Sequence, residues 1–358
     1  MKTKPNLLRR RVFVQQMLFA GAASSPFFDW IASGATPGAD LAMTVLGPIP
    51  TAQLGVTLAH EQGVVDFLGA EKSAQLRHDR DEAFKTILPH FKNLAKLGCA
   101  TLVECTPKYI GRDVILLKRL AEASGLNVIT NTGYYGASDN KFLPKHAFTE
   151  SADQIAARWL AEWRDGIDGS GIRPGFMKLG VGSGRLPEIH IKLVRAAART
   201  HRQCGLPIAI HTGNGEAALD EIRIVEEEGV SPGALIWVHA QNDPGPVQIQ
   251  AARRGAWVSL DGFGASASTR ERYKGFLTAL RRERLLDRAL ISHDHFWSVE
   301  GEGPSGTLKL HADSPAPFQS IFTTLLPDLR ESGFTDSEIR QLTIANPGKA
   351  FAINVRPL

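Results

Sequence analysis

His60, Lys178, His211, His239 and Asp294 are the residues of this 358-residue chain whose types and settings could do chemistry together. Each stands in or directly after a short apolar run, close to its C-terminal end. Imidazole nitrogens and a carboxylate are the ordinary ligands of a divalent cation such as zinc. A lone histidine at a strand end is more often a hydrogen-bonded structural residue, and a lone aspartate after a strand more often caps a helix. Five such residues, taken in order from five different runs, point instead to one shared site. The first of them carries a complication. Residues i and i+2 of a strand face the same way, so His60 and residue 62 aim at one point, and residue 62 is Gln62. An amide oxygen binds divalent metals only weakly.

The elements that must position these residues alternate along the chain. Strand-type apolar runs fall at 54–60, 100–105, 127–132, 175–179, 206–211, 234–239, 256–261 and 288–293. Segments of helical periodicity lie between them, at 81–97, 112–124, 151–163, 187–204, 215–228, 246–254 and 270–285, and a last one at 317–331 completes the series. Glycine stops close several of these, as at Lys96-Leu97-Gly98 and Glu228-Gly229. Eight strand–helix units in unbroken succession predict an α/β fold, the (β/α)8 TIM barrel, whose enzymes build their sites at the C-terminal ends of the strands. A doubly wound open sheet shares the local pattern but usually opens with a glycine-rich phosphate loop, and none follows the first strand at 60–70. The stretch 295–317, rich in Gly, Ser and Pro, reads as a long irregular insertion of functional type.

Apolar residues make up 43% of the chain and charged ones 22%, ordinary values for a soluble globular protein. The net charge of +4 does not predict nucleic-acid or membrane affinity. It comes from Lys2, Lys4, Arg9, Arg10 and Arg11 set against Asp29, and the rest of the chain balances. Residues 1–39 read as an export signal. Arg10-Arg11-Val12-Phe13 resembles a twin-arginine pattern, and the apolar stretch after it is too short and too interrupted for a stable membrane anchor. That division leaves 40–358 as a single barrel domain, folded before export and destined for the periplasm. Cys99, Cys105 and Cys204 form no CxxC and read as buried free thiols.

The run Gly55-Val56-Thr57-Leu58-Ala59-His60-Glu61-Gln62 resembles the opening signature of the phosphotriesterase family of the amidohydrolase superfamily. Ile110-Gly111-Arg112-Asp113, Thr132-Gly133-Tyr134-Tyr135, Phe176-Met177-Lys178-Leu179-Gly180, Ile210-His211-Thr212-Gly213, Val238-His239-Ala240 and Ser292-His293-Asp294 extend the resemblance over residues 42–353. It implies one or two divalent metal ions, commonly zinc, with a carbamate formed by carbon dioxide on Lys178. His60, Lys178 and Asp294 would hold the buried cation, with His211 and His239 on the more exposed one. Asp294 would accept a proton from a metal-activated hydroxide. The family's histidine is replaced at Gln62, which could ligate, bond a metal-bound water, or leave a single-metal site. Glu61 points towards the helix layer and is not counted as a ligand. Tyr135, Phe263 and Trp297 would bind a small-molecule substrate, and His293 would hydrogen-bond behind the ligands. The implied activity is hydrolysis of a lactone, carboxyl ester or phosphoester. The alternatives are a mononuclear hydrolase of an amide or other carbonyl compound, and a binding member without catalysis. A homodimer is left open.

Overall fold

Runs rich in aliphatic and β-branched residues form eight parallel strands in the computed structural model of the protein. These are β1 (Thr57–Glu61), β2 (Thr101–Glu104), β3 (Asn127–Ile129 and Asn131–Thr132, divided at Thr130), β4 (Phe176–Val181), β5 (Ile208–Thr212), β6 (Leu235–Val238), β7 (Trp257–Leu260) and β8 (Ala289–Ile291). Each pairs with the next in parallel register. The first half of β3 pairs with β2 and the second half with β4. The seam between β8 and β1 is closed by Asp294 N–H donating to His60 O (3.2 Å) and Gln62 N–H to His295 O (3.0 Å). The sheet is thus the expected closed barrel. The structure describes residues 40–358 apart from 74, 244 and 302–304, and the predicted export segment lies outside the described residues.

Side-chain alternation fills the barrel. One buried cluster draws Ala59, Val103, Ile129, Phe176, Ala209, Ile236, Trp257 and Leu290 from all eight strands. On β4 the same face carries Phe176, then Lys178, then Gly180, so an apolar floor rises to a polar middle and an open rim. The hairpin Leu41–Thr44/Gly47–Pro50 supplies Ala42 to this core, and Phe351 packs on Phe176 with ring centroids 5.6 Å apart.

The connecting helices are α1 (Arg80–Lys96), α2 (Val114–Ser124), α3 (Ala152–Asp165), α4 (Glu188–Cys204), α5 (Gly215–Glu227), α6 (Pro246–Arg253), α7 (Ala267–Arg282) and α8 (Leu326–Glu331). Their starts are set by caps. Asp79, Asp113, Ser151, Asn214 and Ser266 each accept a first-turn backbone N–H through the side chain. Asp113 therefore stops α2 from beginning at 112, and Ser266 starts α7 ahead of 270. Two expectations need correction. The stretch 295–317 carries two strands: Phe296–Glu300 and Thr307–His311 pair antiparallel, and the first of them adds to Val64–Val65. The last helical segment opens with a π-helical turn at Ile321–Leu325 before α8, and short helices continue through Asn346–Ala350. The described residues form one compact unit, and none of their helices is long and apolar enough to cross a membrane.

Candidate metal centre

His60, His239 and Asp294 converge at the C-terminal ends of β1, β6 and β8. One ligand atom from each lies within 4.8 Å of the others. His60 Nε2 is 3.0 Å from Asp294 Oδ1, and His239 Nε2 is 3.9 Å from Asp294 Oδ2. The opposite edge of both imidazoles faces Asp261, directly after β7 and wholly buried. His239 Nδ1 donates to Asp261 Oδ1 (2.7 Å), and Asp261 Oδ2 lies 3.3 Å from His60 Nδ1. A carboxylate in that position fixes the tautomer and leaves Nε2 free to ligate. The strand-end criterion that selects the other residues would have selected Asp261, yet sequence reasoning gives it no role.

His211 and Lys178 complete the group. The His211 ring is 4.5 Å from that of His239 between centroids, and the Tyr135 ring is 4.9 Å from His211. Lys178 Nζ sits 5.9 Å from the centroid of Tyr135. Glycines make this packing possible. A Cβ on Gly180 would meet the Tyr135 ring at 2.5 Å, and one on Gly133 (φ 126°) would meet the Lys178 carbonyl oxygen at 2.3 Å. All five residues expected to share a site are therefore neighbours, with Tyr135 beside them.

The charges are strongly coupled. Burial alone would raise the Asp294 carboxyl, but His60 and His239 beside it hold it at about 2. Burial likewise opposes protonation of His60, and Cys105, Asp294 and Asp261 outweigh it to leave the imidazole well above its ordinary range. Burial pushes His211 well below that range, with His239 and Lys178 adding to the effect. Lys178 is pushed below the ordinary lysine range by burial, against the opposing pull of Cys105, Asp294 and Asp261. Two imidazole nitrogens aimed at a carboxylate, with a third imidazole beside them, form a donor set that suits a divalent cation.

The other expected residues stand in different relations to this group. Gln62 Nε2 donates to Asp294 Oδ1 at 2.7 Å. An ionised carboxylate only accepts, so the amide nitrogen is the group facing it. His293 directly precedes Asp294 in the chain. Its Nδ1 donates to Glu61 (2.6 Å) and its Nε2 accepts the Ile321 N–H (3.0 Å). Phe263 and Trp297 are almost wholly buried, at 1% and 2% exposed. Phe263 packs on Tyr273 of α7, and Trp297 on His90 of α1 and on Phe318. The aromatic surface reaching the site is another one: Tyr135 meets Phe142, Phe142 meets Phe67, and Phe67 meets Phe296.

Residues 41–351 match the model of the Phosphotriesterase family. The chain is similar to a phosphotriesterase homology protein of Escherichia coli (strain K12), 28% identical over 300 residues, or 83% of this chain and 98% of that one. It is also similar to an aryldialkylphosphatase of Saccharolobus solfataricus, 26% identical over 85% of this chain and 97% of that one. Among solved structures, an organophosphorus hydrolase from Deinococcus radiodurans superimposes with a TM-score of 0.77 at 29% identity, covering 89% of this chain and 100% of that one. The family match takes in every barrel strand and every residue of the centre, and the chain belongs to the phosphotriesterase family.

Proposed function

We propose that this chain is a metal-dependent hydrolase of lactones, carboxyl esters or phosphoesters. One or two divalent cations would be held by His60, Lys178, His211, His239 and Asp294. The observation that carries this reading is the meeting of His60 Nε2, His239 Nε2 and the Asp294 carboxylate, with Asp261 holding both rings from behind. A bound divalent cation, zinc being suited to imidazole and carboxylate donors, would lower the pKa of a water towards ~7 and polarise the substrate's oxygen. The protein's own groups supply the rest. Asp294, held down at about 2, is ionised at neutral pH and can take up a proton during attack. The depressed basicity of Lys178 favours the free amine, whose lone pair can bond to carbon dioxide with loss of a proton. That modification would turn a cation into an anionic oxygen donor among the ligands.

Gln62 is assigned to orienting Asp294 through its amide N–H rather than to the ligand set. The metal nearest β1 then has one strong donor fewer than a histidine at 62 would give. Substrate apolar groups would lie along Tyr135, Phe142, Phe67 and Phe296, where Phe67 is 46% exposed. Export rests on Arg10 and Arg11 and on the character of residues 1–39. A panel of a lactone, an aryl ester and a phosphotriester tests the activity. At least one should be hydrolysed by the wild type, with kcat reduced ~10²–10⁴-fold in Asp294→Asn. Equal rates for both proteins would sink the reading.

A further inference from the structure

Glu61 lies between the residues of the opening motif that face the site, yet it faces away and is wholly buried. It is surrounded by the segment that carries Asp294. Its Oε1 accepts from Ser292 Oγ (2.7 Å), His293 N–H (3.0 Å) and His293 Nδ1 (2.6 Å), and its Oε2 accepts from His295 N–H (3.0 Å). The N–H of Asp294 itself goes to His60 O. Three successive backbone donors after β8 therefore end on residues 60 and 61. Between them Asp294 has φ 64°, the left-handed region that a non-glycine residue seldom adopts. His239, the other left-handed residue of the centre, has its N–H on both oxygens of Asp261 (3.1 and 3.2 Å). Each unusual backbone is thus tied to a buried carboxylate.

Glu61, His293 and His295 also bring ligand-type atoms within 4.8 Å of one another. They do not make a second cation site. His293 Nε2 and His295 Nδ1 have their lone pairs on the N–H groups of Ile321 and Phe318 (both 3.0 Å), and His293 Nδ1 holds the proton given to Glu61. The cluster is a fastening that joins β1, the turn after β8 and the backbone at 318–321.

We propose that Glu61 is a positioning residue that keeps Asp294 left-handed and so sets where its carboxylate stands against His60, His239 and Gln62. The inference rests on the reading of Asp294 as the site's carboxylate, but its test does not depend on turnover. In metal-free protein, Glu61→Gln puts an amide N–H against one of these backbone donors and should lower Tm. Glycine adopts the left-handed region freely, so Asp294→Gly should remove the need for the fastening. The Tm loss from Glu61→Gln should then be at least halved in the Asp294→Gly background, and the double variant keeps the test available if Glu61→Gln folds poorly. In metal-loaded protein, Glu61→Gln should weaken zinc binding at least tenfold in chelator competition and shift the visible spectrum of the cobalt form. Ser292→Ala, which keeps both backbone donors, should do neither. Equal Tm losses in the two backgrounds, or wild-type zinc affinity and cobalt spectrum in Glu61→Gln, would overturn the proposal. A wild type that hydrolyses no ester would instead count against the hydrolase reading and leave the Tm comparison to decide on Glu61.

Discussion

His239 and Asp294 both have φ 64°, a conformation costing about 1–3 kcal/mol that persists where surrounding bonds hold it. At the scale of single residues the centre therefore holds two strained ligands, each with an acid bracing the backbone around it. Asp261 touches both His60 and His239. Asp261→Asn keeps the shape but removes the charge that fixes the two rings, and should weaken zinc affinity by about 10–100-fold in chelator competition. Gln62→His tests the assignment of Gln62. It removes the hydrogen bond to Asp294 and restores an imidazole beside His60, so metal per chain by elemental analysis should rise above the wild-type value. No change would mean that Gln62 already serves as a ligand. The five ligand-type residues were legible because a strand end followed by a polar residue is visible in sequence. Asp261 met the same criterion, but its value lies in two partners distant in sequence. The packing of Phe263 on α7 and of Trp297 on α1 was not legible, because adjacency to a strand end does not say which way a loop turns.

At the scale of elements, Gly111-Arg112-Asp113 shows what positions the β2 and β3 ends of the barrel. Arg112 donates to Asn131 O on β3 (2.7 Å) and makes a two-pronged pair with Glu162 of α3 (2.9 Å each). Asp113 caps α2 and holds Arg80. Arg112→Ala leaves Glu162 with Lys108 alone and takes the guanidinium from the Asn131 carbonyl, and should cost about 3 kcal/mol in urea unfolding. Burial would raise the Glu162 carboxyl, but Arg112 and Lys108 hold it at about 2, below the value of 4.5 that it has when unfolded. Its contribution is then fully present above pH 4.5 and drains away as pH falls towards 2. Wild-type stability should fall over that interval, and that of Arg112→Ala should fall less. The strands and main helices were legible because period and caps agree locally. The hairpin Phe296–Glu300/Thr307–His311 was not, because its period-2 alternation is short and surrounded by Gly, Ser and Pro.

At the scale of the whole molecule, closing β8 on β1 brings residues 60–62 and 292–295 together across more than half the chain. Order around the barrel could be read from the succession of strands, but the cross-seam bonds of Gln62 and Glu61 could not, since no local pattern encodes them. The export proposal also belongs at this scale. Replacing Arg10 and Arg11 together by lysine should stop the full-length protein reaching the periplasm while leaving folded, active enzyme in the cytoplasm. Undiminished periplasmic protein in cell fractionation would refute it. Ester hydrolysis dependent on a metal held by this centre has a more direct test. Metal per chain is measured by elemental analysis on the purified protein, and the lactone, aryl ester and phosphotriester panel is run before chelation, after it, and after zinc is returned. The expected result is at least one divalent metal per chain, with hydrolysis abolished by the chelator and restored by zinc. Hydrolysis that survives removal of the metal, or a protein that neither holds metal nor gains activity on adding it, would contradict it.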